Sequence, residues 1–326
     1  MIEERTFSPD MIAAQQSNGI RQEKIQTAEV IKPAPYVISE DTKILFGRWA
    51  EKNNLELPSV EFFNSLREDF DTYMKGIFPV YESVDEKELV SGLKEQITES
   101  GLTVVSLDGV YYSSPYRLDM SRHINEEMEP IGHWRRPDSM LLFDQFTLLR
   151  DQLQATGVKK IALEDDVVWE GKQISRLIPI IEKRVGVEVP VVYTAIAIGT
   201  GAKEVEKLGT KVKSVRYFPE VIDEVCKRDL IVGAPLSGRT VRNSVGVDMG
   251  APYVSPFGNP VDWATIPKEK QKEFSEFCIN HSIKLFEAIE KASGREIRCA
   301  DLSRKVFGLP QDDTRFVDAL RQTLAA

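Results

Sequence analysis

The sequence predicts an α/β protein: a mainly parallel sheet flanked by helices, with a helical N-terminal part and C-terminal helical additions. Three observations predict it. Beyond Lys159, short apolar, β-branched runs alternate with helical patterns at the interval of strand–helix–strand crossovers. Between residues 41 and 100, apolar positions recur at helical spacing. Glu273 to Ala292 then carries Phe274, Phe277, Ile283, Phe286 and Ile289 on one helical face.

The elements follow in chain order. Residues 1–39 are polar, with Gln15, Gln16, Ser17, Asn18 and Gly19 together and Pro33 and Pro35 nearby; they read as a tail, or as an arm for a protein partner. Residues 40–100 read as a helical subdomain. Ile44, Leu45, Trp49 and Ala50 form one stripe, Phe62, Phe63, Leu66, Phe70, Tyr73 and Met74 a second behind an N-cap at Ser59, and Leu89, Leu93 and Ile97 a third. Residues 101–245 read as the α/β core. Strands are expected over Leu102–Leu107 and Tyr116–Met120, then a loop holding Trp134, then an amphipathic helix over Met140–Ala155. After the strand at Lys159 come strands at Pro190–Ile198, Val212–Phe218 and Leu230–Val232, with a short helix expected over Val221–Lys227. Residues 246–326 read as an irregular Gly/Pro-rich cover, the long helix, and two short helices near Leu302 and Phe316.

Composition narrows the function. A chain of 326 residues has room for one large or two moderate domains, and its net charge of −9 gives no general attraction to nucleic acid. Cys226, Cys278 and Cys299 are dispersed, odd in number and without metal-ligand spacing, which suits a reducing, cytoplasmic setting. No apolar run reaches membrane-spanning length, so no membrane role is expected.

The chemistry centres on Lys159 to Arg184. Ile161-Ala162-Leu163 is an apolar strand, Glu164-Asp165-Asp166 follows, and Gly171 precedes helical apolar positions at Ile174, Leu177, Ile178 and Ile181. In parallel sheets a ligand sits beyond the carboxyl ends of the strands, where these acids belong. Three clustered carboxylates repel one another, so they call for a cation, a polyhydroxyl or a basic partner. A solvated acidic loop is the plainer alternative.

Ile161 to Gln173 resembles the phosphoribosyl-pyrophosphate motif of type I phosphoribosyltransferases, in which an apolar strand and two acids precede a Thr-Gly-x-Thr loop that opens a helix. The resemblance implies a phosphoribosyltransferase-type sheet and, as ligand, phosphoribosyl pyrophosphate or a nucleotide. It implies that Asp165 and Asp166 hold ribose hydroxyls directly or through Mg²⁺, and that the loop with Gly171, Lys172 and Gln173 holds the 5-phosphate. Carboxylates suit both hydroxyls and Mg²⁺, and a Gly turn before a helix offers free amides to phosphate. Glu164 and Trp169 join them as candidate binding residues, Trp169 as a surface on which a base can stack. Transfer at an anomeric carbon passes through an oxocarbenium-like state, with positive charge needed at the leaving pyrophosphate. Arg135, Arg136 and Arg239 in Ser237-Gly238-Arg239 are the candidates for that role. His123 and His133 are candidate acids or bases, although a lone histidine is more often structural.

Two functions are therefore expected. The first is a Mg²⁺-dependent enzyme transferring or hydrolysing a phosphoribosyl or nucleotide glycosidic group. Glu170 and Gln173 stand where the resembled motif has hydroxyl residues, and an anion beside phosphate is repulsive. That departure motivates the second: a catalytically inactive regulator, scaffold or effector subunit of a larger protein or protein–RNA complex.

Overall fold

Parallel strands need a crossover between them, and here the pairing brings Thr103 beside Ile161 and Tyr36 beside Asp223, far apart along the chain. The computed structural model describes residues 33–242 and 247–326, and Ala34–Ala326 forms one unit. In order, the chain runs β1 (Tyr36–Ser39), α1 (Thr42–Asn53), α2 (Val60–Ile77), β2 (Tyr81–Val84), α3 (Glu86–Ser100), β3 (Thr103–Ser106), β4 (Tyr116–Arg117), β5 (Met120–Ile124) and β6 (Pro130–Arg135). It continues with α4 (Leu142–Ala155), β7 (Lys160–Val168), α5 (Lys172–Val185), β8 (Glu188–Ile198), α6 (Gly199–Glu206), β9 (Lys211–Phe218) and β10 (Asp223–Cys226). The remainder is β11 (Arg239–Arg242), β12 (Asp248–Ala251), α7 (Pro260–Ala264), α8 (Gln271–Ser293) and α9 (Phe316–Ala325).

The fold is α/β with mainly parallel sheets. The largest sheet has the order β4-β3-β7-β8-β9 and is parallel throughout. Side chains alternate along its strands, so Ile161 and Leu163 pack with α4 and α5 while Ala162 packs with α3. A three-stranded parallel sheet, β10-β1-β2, and a four-stranded sheet, β12-β11-β5-β6, stand beside it. The largest hydrophobic cluster gathers α1, α2, α8 and α9, with Phe46, Phe70, Phe286 and Phe316 all buried.

Local signals explain the helices. Ser59 accepts a hydrogen bond from the Phe62 amide and Asp85 from the Lys87 amide, as N-caps do, and Gly101 stops α3 in the left-handed region. Among the described residues no helix is long and apolar enough to cross a membrane.

Several expectations need correcting. Tyr36–Ser39, within the expected tail, is a fully buried strand between β10 and β2; three apolar residues show no period, and the partners lie far along the chain. The rest of that tail, before Pro33, lies outside the described residues. Val221–Lys227 is not a helix, because Asp223–Cys226 pairs in parallel with β1; Leu230–Val232 is a turn, not a strand. The loop holding Trp134 is β6, antiparallel to β5, and the strand expected over Tyr116–Met120 is divided between two sheets. The Gly/Pro-rich cover contains β12 and α7, and near Leu302 there is only a 3₁₀ turn, Cys299–Asp301. The acids do not lie in a loop: β7 continues through them to Val168.

Candidate functional site

The carboxyl ends of β3, β7 and β10 open into a cleft of about 860 Å³, floored by Asp108, Asp165, Asp166 and Glu224. Successive residues of a strand face opposite ways, so three consecutive acids on β7 cannot share one environment. Glu164 turns inward, is fully buried, and accepts a 2.6 Å hydrogen bond from Ser106 Oγ. Its other oxygen has no partner, and burial pushes its pKa up to about 8. Asp166 accepts a hydrogen bond from Arg228 at 2.5 Å. The charge of Arg228 holds Asp166 below the usual carboxylate range despite burial. Asp165 has no hydrogen-bond partner among the described residues; burial, reinforced by Asp166, raises its pKa well above the ordinary value.

Arg228 is the hub of this floor. It is buried, donates to Asp41 at 2.7 Å and to Asp108 at 3.3 Å, and its backbone amide donates to Asp41 at 2.9 Å. Arg136 joins the network, donating to Asp108 at 2.9 Å and to the Met120 carbonyl at 2.8 Å.

The wall on the α5 side starts at Gly171, whose φ of +71° suits glycine and which opens α5 without a capping side chain. The first-turn amides of Lys172, Gln173 and Ile174 therefore have no side-chain cap from the N-cap residue. Glu170 does not plug them: it is exposed and pairs with Lys172 at 3.0 Å. A Cβ on Gly171 would lie 2.4 Å from the Gly201 carbonyl oxygen, and one on Gly201 2.2 Å from that of Trp169, so the two loops interlock backbone to backbone.

The opposite wall is the Ser237-Gly238-Arg239 turn. Asp229 accepts from the Gly238 amide at 2.7 Å, and Arg304 donates to the Ser237 carbonyl at 2.7 Å. Arg239 spreads over Trp263, 4.5 Å from the ring centroid, with Tyr253 beneath. The Gly/Pro-rich stretch is thus a packed cover that contributes an aromatic wall.

Of the residues chosen from the sequence, Asp165, Asp166, Arg136, Trp169, Gly171, Lys172, Gln173, Gly238 and Arg239 line the cleft. Three do not. Glu164 is sealed inside the sheet, Arg135 turns away to donate to the Ser139 carbonyl at 2.8 Å, and Ser237 is buried with its hydroxyl unpartnered. His123 is held between Ser121 and the Arg135 carbonyl, whereas His133 lines the cleft with its pKa lowered by desolvation and by Arg122 and Arg176. Sequence reasoning gave no role to Arg122, Arg176 or Arg228. Arg122 and Arg176 line the cleft, and neither side chain makes an ion pair or hydrogen bond among the described residues. A helical wheel places Arg176 one turn beyond Lys172, a signal available from the sequence; nothing local marks Arg122 or Arg228.

Magnesium takes hard oxygen ligands in a near-octahedral array. Among the described residues no three His, Cys, Asp or Glu side chains are placed to share an ion. Asp41, Asp108 and Asp166 give oxygens to arginines and Glu224 accepts from Ser39 Oγ at 2.7 Å, so among the described residues Asp165 is the floor carboxyl left without a hydrogen bond. This donor set does not fit a resident divalent ion.

No family model matches the chain, and no curated protein matches it. Among solved structures, it is similar to the orotate phosphoribosyltransferase of Aeropyrum pernix at 13% identity, over 40% of this chain and 68% of that one, with a TM-score of 0.23. The adenine phosphoribosyltransferase of Thermoanaerobacter pseudethanolicus matches at 8% identity, over 40% of this chain and 80% of that one, with a TM-score of 0.25. The Leishmania donovani UMP synthase matches at 9% identity, over 41% of this chain but only 27% of its own length, with a TM-score of 0.23.

Proposed function

We propose that the cleft binds a phosphoribosyl ligand, phosphoribosyl pyrophosphate or a nucleotide, and that the protein acts as a phosphoribosyltransferase-like enzyme at the anomeric carbon. One observation carries this reading. Arg122, Arg176 and Arg239, none of them in an ion pair among the described residues, line the same cleft as Asp165 and the uncapped amino end of α5. Guanidinium groups grip phosphate oxygens in pairs, and unclaimed helix amides suit a terminal phosphate. An unbonded carboxylate beside them suits ribose hydroxyls and the positive charge that develops on the ring. That charge also favours the ionised form of Asp165.

Asp166 has a different task, since removing its charge takes from buried Arg228 one of its three carboxylate partners. Asp165→Asn is therefore the informative variant. With phosphoribosyl pyrophosphate and a panel of bases, or water alone, the wild type is expected to release pyrophosphate. Asp165→Asn is expected to lower the rate by roughly 100-fold, the scale of one lost transition-state contact, with its urea midpoint at or above that of the wild type, since burial disfavours the charge that the variant removes. Equal rates in the two proteins would remove Asp165 from the reaction.

The capture of Asp166 by Arg228, together with Glu170 in the loop, favours a second reading: a catalytically silent effector that keeps the cleft as a ligand sensor. Binding of phosphoribosyl pyrophosphate with no pyrophosphate release under any condition selects it.

A further inference from the structure

The donor set of the cleft disagrees with a divalent ion in a particular way. Three aspartates from separate elements converge at the strand ends: Asp41 after β1, Asp108 after β3, and Asp166 on β7. What they converge on is the guanidinium of Arg228, just past β10, at 2.7, 3.3 and 2.5 Å. Arg136 supplies a second positive charge to Asp108 at 2.9 Å.

A divalent ion in a phosphate site does two things: it neutralises the acids, so that an anion can approach, and it offers positive charge to phosphate oxygens. Here Arg228 and Arg136 already do the first. Arg122, Arg176 and Arg239, in no ion pair among the described residues, are placed for the second. An ion entering the floor would have to displace a buried, multiply bonded arginine.

We infer that Arg228 takes the place of a divalent cation in this cleft, so that the protein binds a pyrophosphate-bearing ligand in its metal-free form. This rests on the reading of the cleft as a phosphate site, and the test separates the two. Calorimetry with the full chain compares inorganic pyrophosphate, and then phosphoribosyl pyrophosphate, in excess chelator and in millimolar magnesium. The expected result is affinity in chelator equal to or tighter than in magnesium, because the ion competes for the same phosphate oxygens. Affinity about tenfold or more tighter with magnesium, or binding seen only with it, overturns the inference and leaves the phosphate site standing. Absence of binding under both conditions overturns both.

A second measurement needs no ligand. Manganese titrated into the free protein and followed by water-proton relaxation should reveal no saturable site. A site of one ion per chain that Asp166→Asn abolishes would overturn the inference directly.

Discussion

Glu164, Asp165 and Asp166 are chemically similar neighbours with three different fates: the pleat of β7 turns Asp165 to the other face, and different partners separate Glu164 from Asp166. One carboxyl is sealed against Ser106, one faces the cleft unbonded, and one is tied to Arg228. Burial raises Glu164 from an ordinary 4.5 to about 8, so the folded state holds a proton that the unfolded chain releases. The stability from that proton is fully present below the unfolded value, near 4.5, and is lost as pH rises through about 8. Glu164→Gln removes this titration. We expect chemical denaturation between pH 5 and 8 to show the wild type losing on the order of a few kcal/mol relative to the variant. Parallel stability curves would refute the assignment. Asp41, Asp223 and Glu224 are also raised by burial, which is why the difference between the two proteins, and not the wild-type curve, is diagnostic.

At the scale of elements, the unit formed by β7, its loop and α5 was readable in outline: an apolar run, a Gly turn and helical spacing are local properties of the chain. Its precision depends on a second loop. Gly201 at the start of α6 lies against the Trp169 carbonyl, and Gly171 lies against the Gly201 carbonyl. With no room for a Cβ, Gly201→Ala must push the Trp169–Gly171 loop away from α6. The expected cost is about 1–3 kcal/mol in urea denaturation, the range for overpacking a tight site, with weaker pyrophosphate binding as the uncapped amides move. A variant with wild-type stability and affinity would show that the loops separate freely.

Across the whole molecule, Arg228 joins the three-stranded sheet to the five-stranded one by binding Asp41, Asp108 and Asp166 at once. Removing one partner from a buried ionic cluster leaves the others uncompensated. Arg228→Met is therefore expected to destabilise the fold by about 3–5 kcal/mol, measured by guanidinium denaturation. Hydrogen exchange should show the loss concentrated at the ends of β1, β3 and β7. A loss below about 1 kcal/mol would mean that the cluster adds little to the joint.

The sequence by itself determined what depends on neighbours along the chain. It specified the helices α1, α2, α3 and α8, the alternation of β7, α5, β8 and β9, and the nearness of Asp165, Asp166 and Gly171, though not of Glu164, to one cleft. Periodicity, caps and glycine turns act over a few residues and so can be read there. The tertiary structure decided everything that needs a distant partner. It made a strand of Tyr36–Ser39, which pairs with Asp223–Cys226 on one side and β2 on the other, and another of Asp223–Cys226, which pairs with β1. It also separated the roles of Asp165 and Asp166, by bringing an arginine from 62 residues away to one of them and leaving the other to the cleft. Charge, unlike periodicity, acts through space, so the partner of a buried acid is visible only once the chain has folded.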